Sequence, residues 1–142
     1  LRIIGSIPDT LYRKLTRDRG VLDSRIERVD PLNPREADAL LCQCDLMVSP
    51  IRLGSGIKIK NLVAAGLALP LIATTASLRG SRMVPGQECL SADTATAFAD
   101  AILDLLNDEK KRRTLGLNAR KYLAEHHGLE TAAEQWLQFL AA

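Results

Sequence analysis

The sequence predicts an α/β fold, with helices on both faces of a parallel sheet and a helical tail at the end of the chain. Two observations favour this class. From the first residue through Cys89, short apolar runs bounded by glycine or proline alternate with segments of helical periodicity, which is typical of βαβ units. Three consecutive helical patterns then complete the 142 residues. Because only 4% of the residues are aromatic, the core must consist of Leu, Ile, Val and Ala.

The first four segments alternate between strand and helix. The run LRIIG, closed by Gly5, predicts a buried strand, and a helix is predicted from Pro8 to about Arg19. A weaker strand lies in SRIERVDP. The next helix begins near Pro34, since proline is accepted in a first helical turn.

The middle of the chain continues the pattern around a loop rich in glycine. A strand is predicted from Leu46 to Ser49, the loop from Arg52 to Gly56, a helix from about Ile57 to Gly66 and a strand from Leu69 to Ala73. A short last strand is predicted around Cys89. The tail helices are TATAFADAILDLLND, EKKRRTLGLNARKYLAEHH and LETAAEQWLQFLAA. No linker or repeat divides the chain, so residues 1–142 are predicted to be a single domain.

Composition argues against several classes of function. A net charge of +2 is too small to indicate nucleic-acid binding or an anionic membrane surface, so phosphate recognition would have to be local. No run of about 18 apolar residues predicts a membrane span. The cysteines and histidines lack the spacing of a zinc site. We therefore predict no metal and reduced thiols, as in a cytoplasmic protein.

The glycine loop is the strongest candidate for a binding site. Gly54 and Gly56 allow positive φ and a close approach of backbone N–H groups to a ligand. The following helix points its partly positive N-terminus into the same space. Together with Arg52, Lys58 and Lys60, these groups suit a diphosphate. The alternative is a flexible turn followed by a solvated helix face.

Two common phosphate-binding motifs do not fit this loop. A Walker loop requires G-x-x-x-x-G-K-[ST], which the residues after Gly54 do not supply. A dinucleotide-binding loop requires G-x-G-x-x-G, but Ile59 occupies the place of the third glycine. The loop is therefore neither of these two types.

A longer pattern is more specific. The stretch DLMVSPIRLGSGIKIKNLVAAGLALPLIATT resembles the donor-binding half of retaining GT-B glycosyltransferases of family 4, the group 1 type, whose pattern is G-x-G-x-x-x-K-x-x-E-A-x-A-x-G-x-P-V-V-A-T. The segments RIERVDPLNPREADALLCQCDLMVSP and FADAILDLLNDEKKRRTLGLNARKYL resemble the family's flanking regions. The positions that match without a gap are Gly54, Gly56, Lys60, Ala64, Pro70, Ala73 and Thr74.

The resemblance implies a Rossmann-like C-terminal domain, truncated from a larger enzyme, that binds a nucleoside diphosphate sugar without a metal or other cofactor. Gly54, Ser55 and Gly56 would donate backbone N–H groups to the diphosphate. Lys60, or Lys58 one register away, would neutralise the negative charge that grows as the sugar leaves.

The resemblance has further implications for the cleft and for partners. Arg52, Thr74 and Thr75 would line the same cleft, although the two threonines could equally be ordinary caps at the end of a strand. The acceptor would be held by an N-terminal domain that these residues do not include. That domain could bring a cytoplasmic enzyme to the inner face of a membrane, and a domain isolated from it could pair with itself in a crystal.

The sequence departs from the family pattern where the family places two carboxylates in an E-x7-E motif. Ser55 and Val63 occupy these positions, and no Asp or Glu lies between Asp45 and Glu88. The catalytic residues therefore stay unknown. An apolar side chain at position 63 cannot accept hydrogen bonds from a ribose, a loss of about 1–3 kcal/mol. Ala68 also replaces a glycine of the pattern.

Three hypotheses follow from these observations. The first is a glycosyltransferase that moves a hexose from a nucleoside diphosphate to a glycan, lipid or small acceptor, of which this piece alone would be inactive. The second is a degenerate, non-catalytic binding or scaffolding domain, which Val63 favours. The third, an epimerase of related fold, would need acidic and histidine side chains that the glycine-rich stretch lacks.

Overall fold

The computed structural model describes residues 1–6, 8–18 and 21–141. These residues form two compact units, Leu1–Leu40 and Leu41–Ala142. Each unit contains its own parallel strand pairs. That the whole chain acts as a single domain stays a prediction.

The first unit contains one parallel pair of strands and one short antiparallel pair. In the parallel pair, β1 aligns Ile3 with Arg28 of β4, and the Gly5 N–H donates to the Val29 carbonyl oxygen at 3.1 Å. The elements of this unit are β1 (Arg2–Ile4), α1 (Asp9–Thr16), β2 (Arg17–Asp18), β3 (Val21–Leu22), β4 (Glu27–Val29) and α2 (Pro34–Leu41).

The first helix is shorter than its pattern predicted. It ends at Thr16, because Arg17–Asp18 pairs in antiparallel fashion with Val21–Leu22. The predicted end at Arg19 lies outside the described residues. This pair of two-residue strands was not anticipated.

Helix α2 begins at Pro34, as predicted, and a reciprocal cap explains its start. The Asn33 N–H donates to Glu36 Oε2 at 3.1 Å, and the Glu36 N–H donates to Asn33 Oδ1 at 3.0 Å. This capping box satisfies backbone N–H groups that a helix start leaves without partners.

The second unit contains a three-stranded parallel sheet in the order β5-β6-β7. Met47 of β5 aligns with Leu71 of β6, and Ile72 of β6 aligns with Leu90 of β7. The elements are β5 (Met47–Ser49), α3 (Ile59–Gly66), β6 (Leu71–Ala73), α4 (Thr75–Leu78), β7 (Leu90–Ser91), α5 (Ala95–Asn107), α6 (Glu109–His127) and α7 (Leu129–Leu140).

Both faces of this sheet are covered by helices, as the sequence predicted. On one face, Leu71 and Ala73 pack in a cluster that includes Ala65 of α3 and Ala119 of α6. On the other face, Ile72 packs in a cluster with residues of α5 and α6 such as Leu105 and Leu115. All three residues of the central strand β6 are buried, which explains its continuous apolar sequence.

Several boundaries differ from the expected ones. Helix α3 begins at Ile59 instead of Ile57, because the loop continues through Lys58, which is the N-cap. β6 begins at Leu71 instead of Leu69. β7 follows Cys89, which itself makes only an isolated bridge to Pro85. The four-residue helix α4 was not anticipated.

The turn between α3 and β6 requires an unusual backbone conformation. Among the non-glycine residues that the structure describes, Ala68 alone has a positive φ, at 54°. Helix α3 ends at Gly66, and Leu67 is its C-cap. Ala68 therefore adopts the left-handed conformation that usually selects glycine after a helix.

None of the described helices is both long enough and apolar enough to cross a membrane.

Candidate functional site

The candidate site lies at the carboxyl ends of the three parallel strands in the second unit. Because neighbouring parallel strands end at the same edge of a sheet, the segments after Ser49, Ala73 and Ser91 meet there. The first of these segments is the glycine loop, which we define as residues 52–58. Helix α3 begins directly after it.

The glycine loop has the backbone conformation that the sequence predicted. Gly54 has φ of 107° and Gly56 has φ of 76°. Within the part of the chain that the structure describes, the N–H groups of residues 54–56 donate no hydrogen bond to the protein. The loop therefore keeps consecutive backbone donors available for a ligand.

The two lysines of the loop and helix start have different surroundings. Lys58 Nζ folds back over the loop and donates to the carbonyl oxygens of Ser55 at 3.0 Å and Gly56 at 2.9 Å. Lys60 is exposed and makes no hydrogen bond or ion pair with any described residue. Lys58 thus stabilises the loop, whereas Lys60, in the first turn of α3, keeps an unpaired positive charge.

Thr74 and Thr75, at the end of β6, are engaged by neighbouring segments. Thr74 is the N-cap of α4, where its Oγ1 accepts from the Ser77 N–H at 3.0 Å. The same hydroxyl donates to the Ile51 carbonyl oxygen, just before the glycine loop. Thr74 is buried, and the two bonds of its hydroxyl connect the start of α4 with the segment before the glycine loop.

Thr75 holds the carboxylate of Asp93, which follows β7. The Thr75 N–H donates to Asp93 Oδ1 at 2.9 Å, and its hydroxyl donates to Oδ2 at 2.7 Å. These two bonds hold the pKa of Asp93 below its ordinary value, and the bond from the Thr75 hydroxyl has the larger effect. The positive charge of Arg52 acts in the same direction. Arg52 therefore lies within electrostatic reach of this carboxylate.

Sequence reasoning missed Asp93 because the search for a carboxylate covered only the stretch between Asp45 and Glu88. Its signal was available: an acidic residue directly after a predicted strand lies at the same sheet edge as the glycine loop. The two positions at which the family pattern has a carboxylate differ in location and exposure. Ser55 is exposed on the loop, and Val63 is a partly buried residue of α3.

A buried polar group in α3 was also missed. Asn61, only 1% exposed, donates from Nδ2 to the Ser77 carbonyl oxygen at 3.0 Å and to Ser77 Oγ at 3.2 Å. Ser77 Oγ also shares a hydrogen bond of 2.7 Å with Ser49 Oγ. The signal in the sequence was a polar residue at helical spacing from the buried Ala64 and Ala65.

The three cysteines form no disulfide, and the most buried of them, Cys89, has an unreactive thiol. Cys89 is completely buried, and burial raises the pKa of its thiol to about 12. Because the thiolate is the nucleophile, a thiol with this pKa is unreactive at neutral pH. Cys42 is exposed and Cys44 is partly exposed.

The arrangement suits an anion with several oxygen atoms. The unbonded N–H groups and the N-terminus of an eight-residue helix favour negative charge at the same place, and the unpaired Lys60 lies in the first turn of that helix. Asp93 introduces the opposite charge, but both of its oxygens are already bound by Thr75. The chemistry available here is electrostatic stabilisation of negatively charged oxygen atoms.

Comparison of the sequence with family profiles gives a match to the family described as glycosyl transferases group 1, over residues 1–108. A search of curated protein sequences found no match. Residues 1–108 include the glycine loop, Lys60 and Asp93. The profile match therefore covers the whole candidate site.

Solved structures share the fold at low sequence identity. Alr3699/HepE of Anabaena, crystallised in complex with UDP, matches 99% of this chain and 40% of its own length, with a TM-score of 0.83 and 17% identity. The C-terminal domain of the group 1 protein LpcC of Francisella tularensis matches 76% of this chain and 56% of its own length, with a TM-score of 0.68 and 19% identity.

A third similar structure is the sucrose-phosphate synthase of Thermosynechococcus elongatus. It matches 99% of this chain and 39% of its own length, with a TM-score of 0.74 and 20% identity. The chain therefore spans less than two thirds of each of these structures. At such identities the likeness shows the fold, which is the predicted Rossmann-like α/β fold.

Proposed function

The chain belongs to the glycosyl transferases group 1 family, and on that premise we propose that it is the donor-binding domain of a retaining glycosyltransferase. In this proposal it binds a nucleoside diphosphate sugar, from which the complete enzyme moves a hexose to a glycan, lipid or small acceptor. Its fold is one Rossmann-like half of the GT-B architecture. The chain covers 40% of Alr3699/HepE, so the acceptor domain would lie in the rest of a longer protein.

One observation carries the proposal: the N–H groups of residues 54–56 have no acceptor among the described residues, and the helix that follows them carries the unpaired Lys60 in its first turn. When the bond between the sugar's anomeric carbon and the diphosphate oxygen breaks, negative charge accumulates on the diphosphate. Backbone donors and a lysine would stabilise that charge electrostatically. This would be the contribution of the chain to the reaction.

UDP is the first nucleotide to test. Alr3699/HepE was crystallised in complex with UDP and with UDP-glucose, and we extend that donor class to this chain as part of the proposal. No metal or other cofactor is needed in it, since the positive groups are those of the chain itself. The enzyme would act in the cytoplasm, at the inner face of a membrane if its acceptor is a lipid.

The test is calorimetric binding of UDP, GDP and ADP to the full-length protein and to the variant Lys60→Met. Loss of one charge-assisted contact should weaken binding of the preferred nucleotide by about 1.5–3 kcal/mol, which is more than tenfold in Kd. Lys110→Met is the matched control, because Lys110 is exposed and is also the second residue of its helix, α6. The control should bind like the wild type.

Two results would overturn the proposal. One is a wild-type protein that binds none of the three diphosphates and that neither hydrolyses nor transfers sugar from any nucleotide sugar. The other is equal binding by Lys60→Met and the wild type, since Lys60 would then not contact the ligand.

The second candidate function is a degenerate domain that binds without turnover, and Val63 favours it. Activity assays on the same full-length protein distinguish the two functions. Binding of UDP together with transfer or hydrolysis of a UDP-sugar supports the enzyme. Binding without either reaction, across the nucleotide sugars tested, supports the degenerate domain.

A further inference from the structure

Asn61 is a buried polar side chain in the first turn of α3, directly after the glycine loop. It is buried together with Ala64 and Ala65 of the same helix. A leucine would fill such a position without any need for hydrogen bonds. The presence of an amide at this buried position therefore needs an explanation, which its contacts provide.

The orientation of the amide follows from its partners. Nδ2 donates to both the carbonyl oxygen and the hydroxyl of Ser77. A reversed amide would place Oδ1 against the Ser77 carbonyl oxygen, and two acceptors cannot bond to each other. With Nδ2 toward Ser77, Oδ1 is buried and has no partner among the described residues.

The unpartnered buried acceptor of Asn61 argues against a role of this residue in stabilising the fold. The two bonds from Nδ2 stabilise the fold, but a buried acceptor without a donor opposes them by a similar amount. The net contribution of the amide to folding is therefore small. Its effect on geometry is larger, because it fixes the start of α3 against α4.

The segment from Thr74 to Gly80 is joined to both sides of the glycine loop. Before the loop, Thr74 bonds to Ile51. After the loop, Ser77 bonds to Asn61. Gly80 lies against the loop itself: a Cβ built there would stand 3.0 Å from the Ile57 nitrogen.

A further hydrogen bond reaches the strand that leads into the loop. Ser77 Oγ bonds to Ser49 Oγ at the end of β5, and both side chains are buried. Asn61, Ser77 and Ser49 thus form one chain of hydrogen bonds beneath the loop. It connects the strand before the loop with the helix after it.

We propose that Asn61 is a positioning residue: through Ser77 and Ser49 it fixes both ends of the glycine loop, so that the free N–H groups are held in place for the donor diphosphate. This inference rests on the proposed function for its ligand. The structural claim, that Asn61 immobilises the start of α3, does not depend on the proposed function. Asn61 itself does not have to touch the ligand.

The experiment compares Asn61→Leu and Ser77→Ala with the wild type in the full-length protein. Asn61→Leu removes both hydrogen bonds from Nδ2. Ser77→Ala removes the link to Ser49 and the bond from Nδ2 to the Ser77 hydroxyl, but it keeps the bond from Nδ2 to the Ser77 carbonyl oxygen. We expect the Kd for UDP to rise about tenfold in Asn61→Leu and by a smaller factor in Ser77→Ala. Ser77→Ala keeps the test usable if Asn61→Leu does not fold.

The control is a variant that loses buried hydrogen bonds elsewhere. The Tyr122 hydroxyl accepts from the Arg82 N–H at 2.9 Å and bonds to His127 Nε2 at 3.2 Å, and none of these residues belongs to the loop or to the Asn61 chain. Tyr122→Phe should lower the melting temperature but leave the Kd for UDP unchanged. A purely structural role of Asn61 would change Kd in neither variant.

A second measurement does not depend on a ligand. Hydrogen exchange of the ligand-free protein should accelerate in the peptide covering residues 59–66 in Asn61→Leu and not in Tyr122→Phe. If the wild type binds no diphosphate, the proposed function fails while this measurement still decides whether Asn61 holds the helix start. Unchanged exchange and unchanged Kd in Asn61→Leu would overturn the inference.

Discussion

The backbone of Gly116 in α6 lies against the carbonyl group of Ala68, the residue with positive φ that precedes β6. A Cβ built at Gly116 would stand 2.0 Å from the Ala68 oxygen and 2.8 Å from its carbonyl carbon. Both of these atoms belong to the backbone, which cannot rotate away as a side chain can. Helix α6 therefore approaches this turn only because residue 116 has no side chain.

Gly116→Ala should accordingly destabilise the protein by about 3 kcal/mol, because α6 or the turn must move to accept the methyl group. Urea unfolding followed by circular dichroism measures this change. Gly66→Ala is the matched control: its Cβ would meet only the flexible Leu123 side chain, with Cδ2 at 3.2 Å. Equal effects of the two substitutions would contradict this account of the packing.

Ala68→Gly should have the opposite effect. An alanine with φ of 54° is strained relative to glycine, by about 1 kcal/mol. Part of this gain is cancelled because glycine makes the unfolded chain more flexible. We expect the free energy of unfolding to rise by about 0.5 kcal/mol. A fall in the melting temperature would show that the Ala68 methyl group makes packing contacts that outweigh its strain.

Val63→Glu should strengthen donor binding if the resemblance places residue 63 at the ribose. A carboxylate there can accept hydrogen bonds from the ribose hydroxyls, worth about 1–3 kcal/mol. Val63 is only partly buried, so the longer side chain can reach solvent. The Kd for UDP should therefore fall about tenfold or more by calorimetry.

The control ligand for Val63→Glu is the 2′,3′-dideoxy form of UDP, for which no gain is expected. An equal gain for both ligands would mean that the glutamate acts elsewhere. No gain for UDP would mean that other residues hold the ribose.

Cys89 should be inert toward thiol reagents in the folded protein, because its thiol is buried and its pKa is raised to about 12. At pH 8, iodoacetamide should label Cys42 rapidly and Cys89 only as fast as the protein unfolds. Mass spectrometry of the labelled peptides separates these rates. Labelling in urea, where all three thiols should react, is the control; rapid labelling of native Cys89 would contradict its burial.

The same pKa has a consequence for stability at high pH. Since the folded protein holds the Cys89 proton more tightly than the unfolded chain does, this contribution to stability is fully present below the thiol's ordinary pKa of 9.0. It decreases as the pH rises from there toward about 12.

Periodicity was sufficient to predict most of the fold. The alternation of apolar runs and helical patterns identified five of the strands and the long helices. It failed for α4 and for the pair β2–β3, because segments of two to four residues are too short to show a period. The start of α3 was misplaced because Ile57 and Ile59 are both apolar, and only the loop geometry decides between them.

The candidate site was predictable where the chain is continuous and unpredictable where distant segments meet. Positive φ at Gly54 and Gly56 follows from local sequence. The different roles of Lys58 and Lys60 do not, because they depend on how the loop carbonyls turn. The engagement of Asp93 by Thr75 depends on the register of β6 against β7.

The parallel arrangement of β5, β6 and β7 has a consequence for the rate of folding. Met47 pairs with Leu71, and Ile72 pairs with Leu90, so neither pairing in this sheet is local. A parallel pair needs a long crossover to close before its hydrogen bonds compensate the lost chain entropy. The helices α5, α6 and α7 follow one another directly and need no such closure. We therefore expect the tail to become helical early, and the glycine loop to form only with the late, slow step.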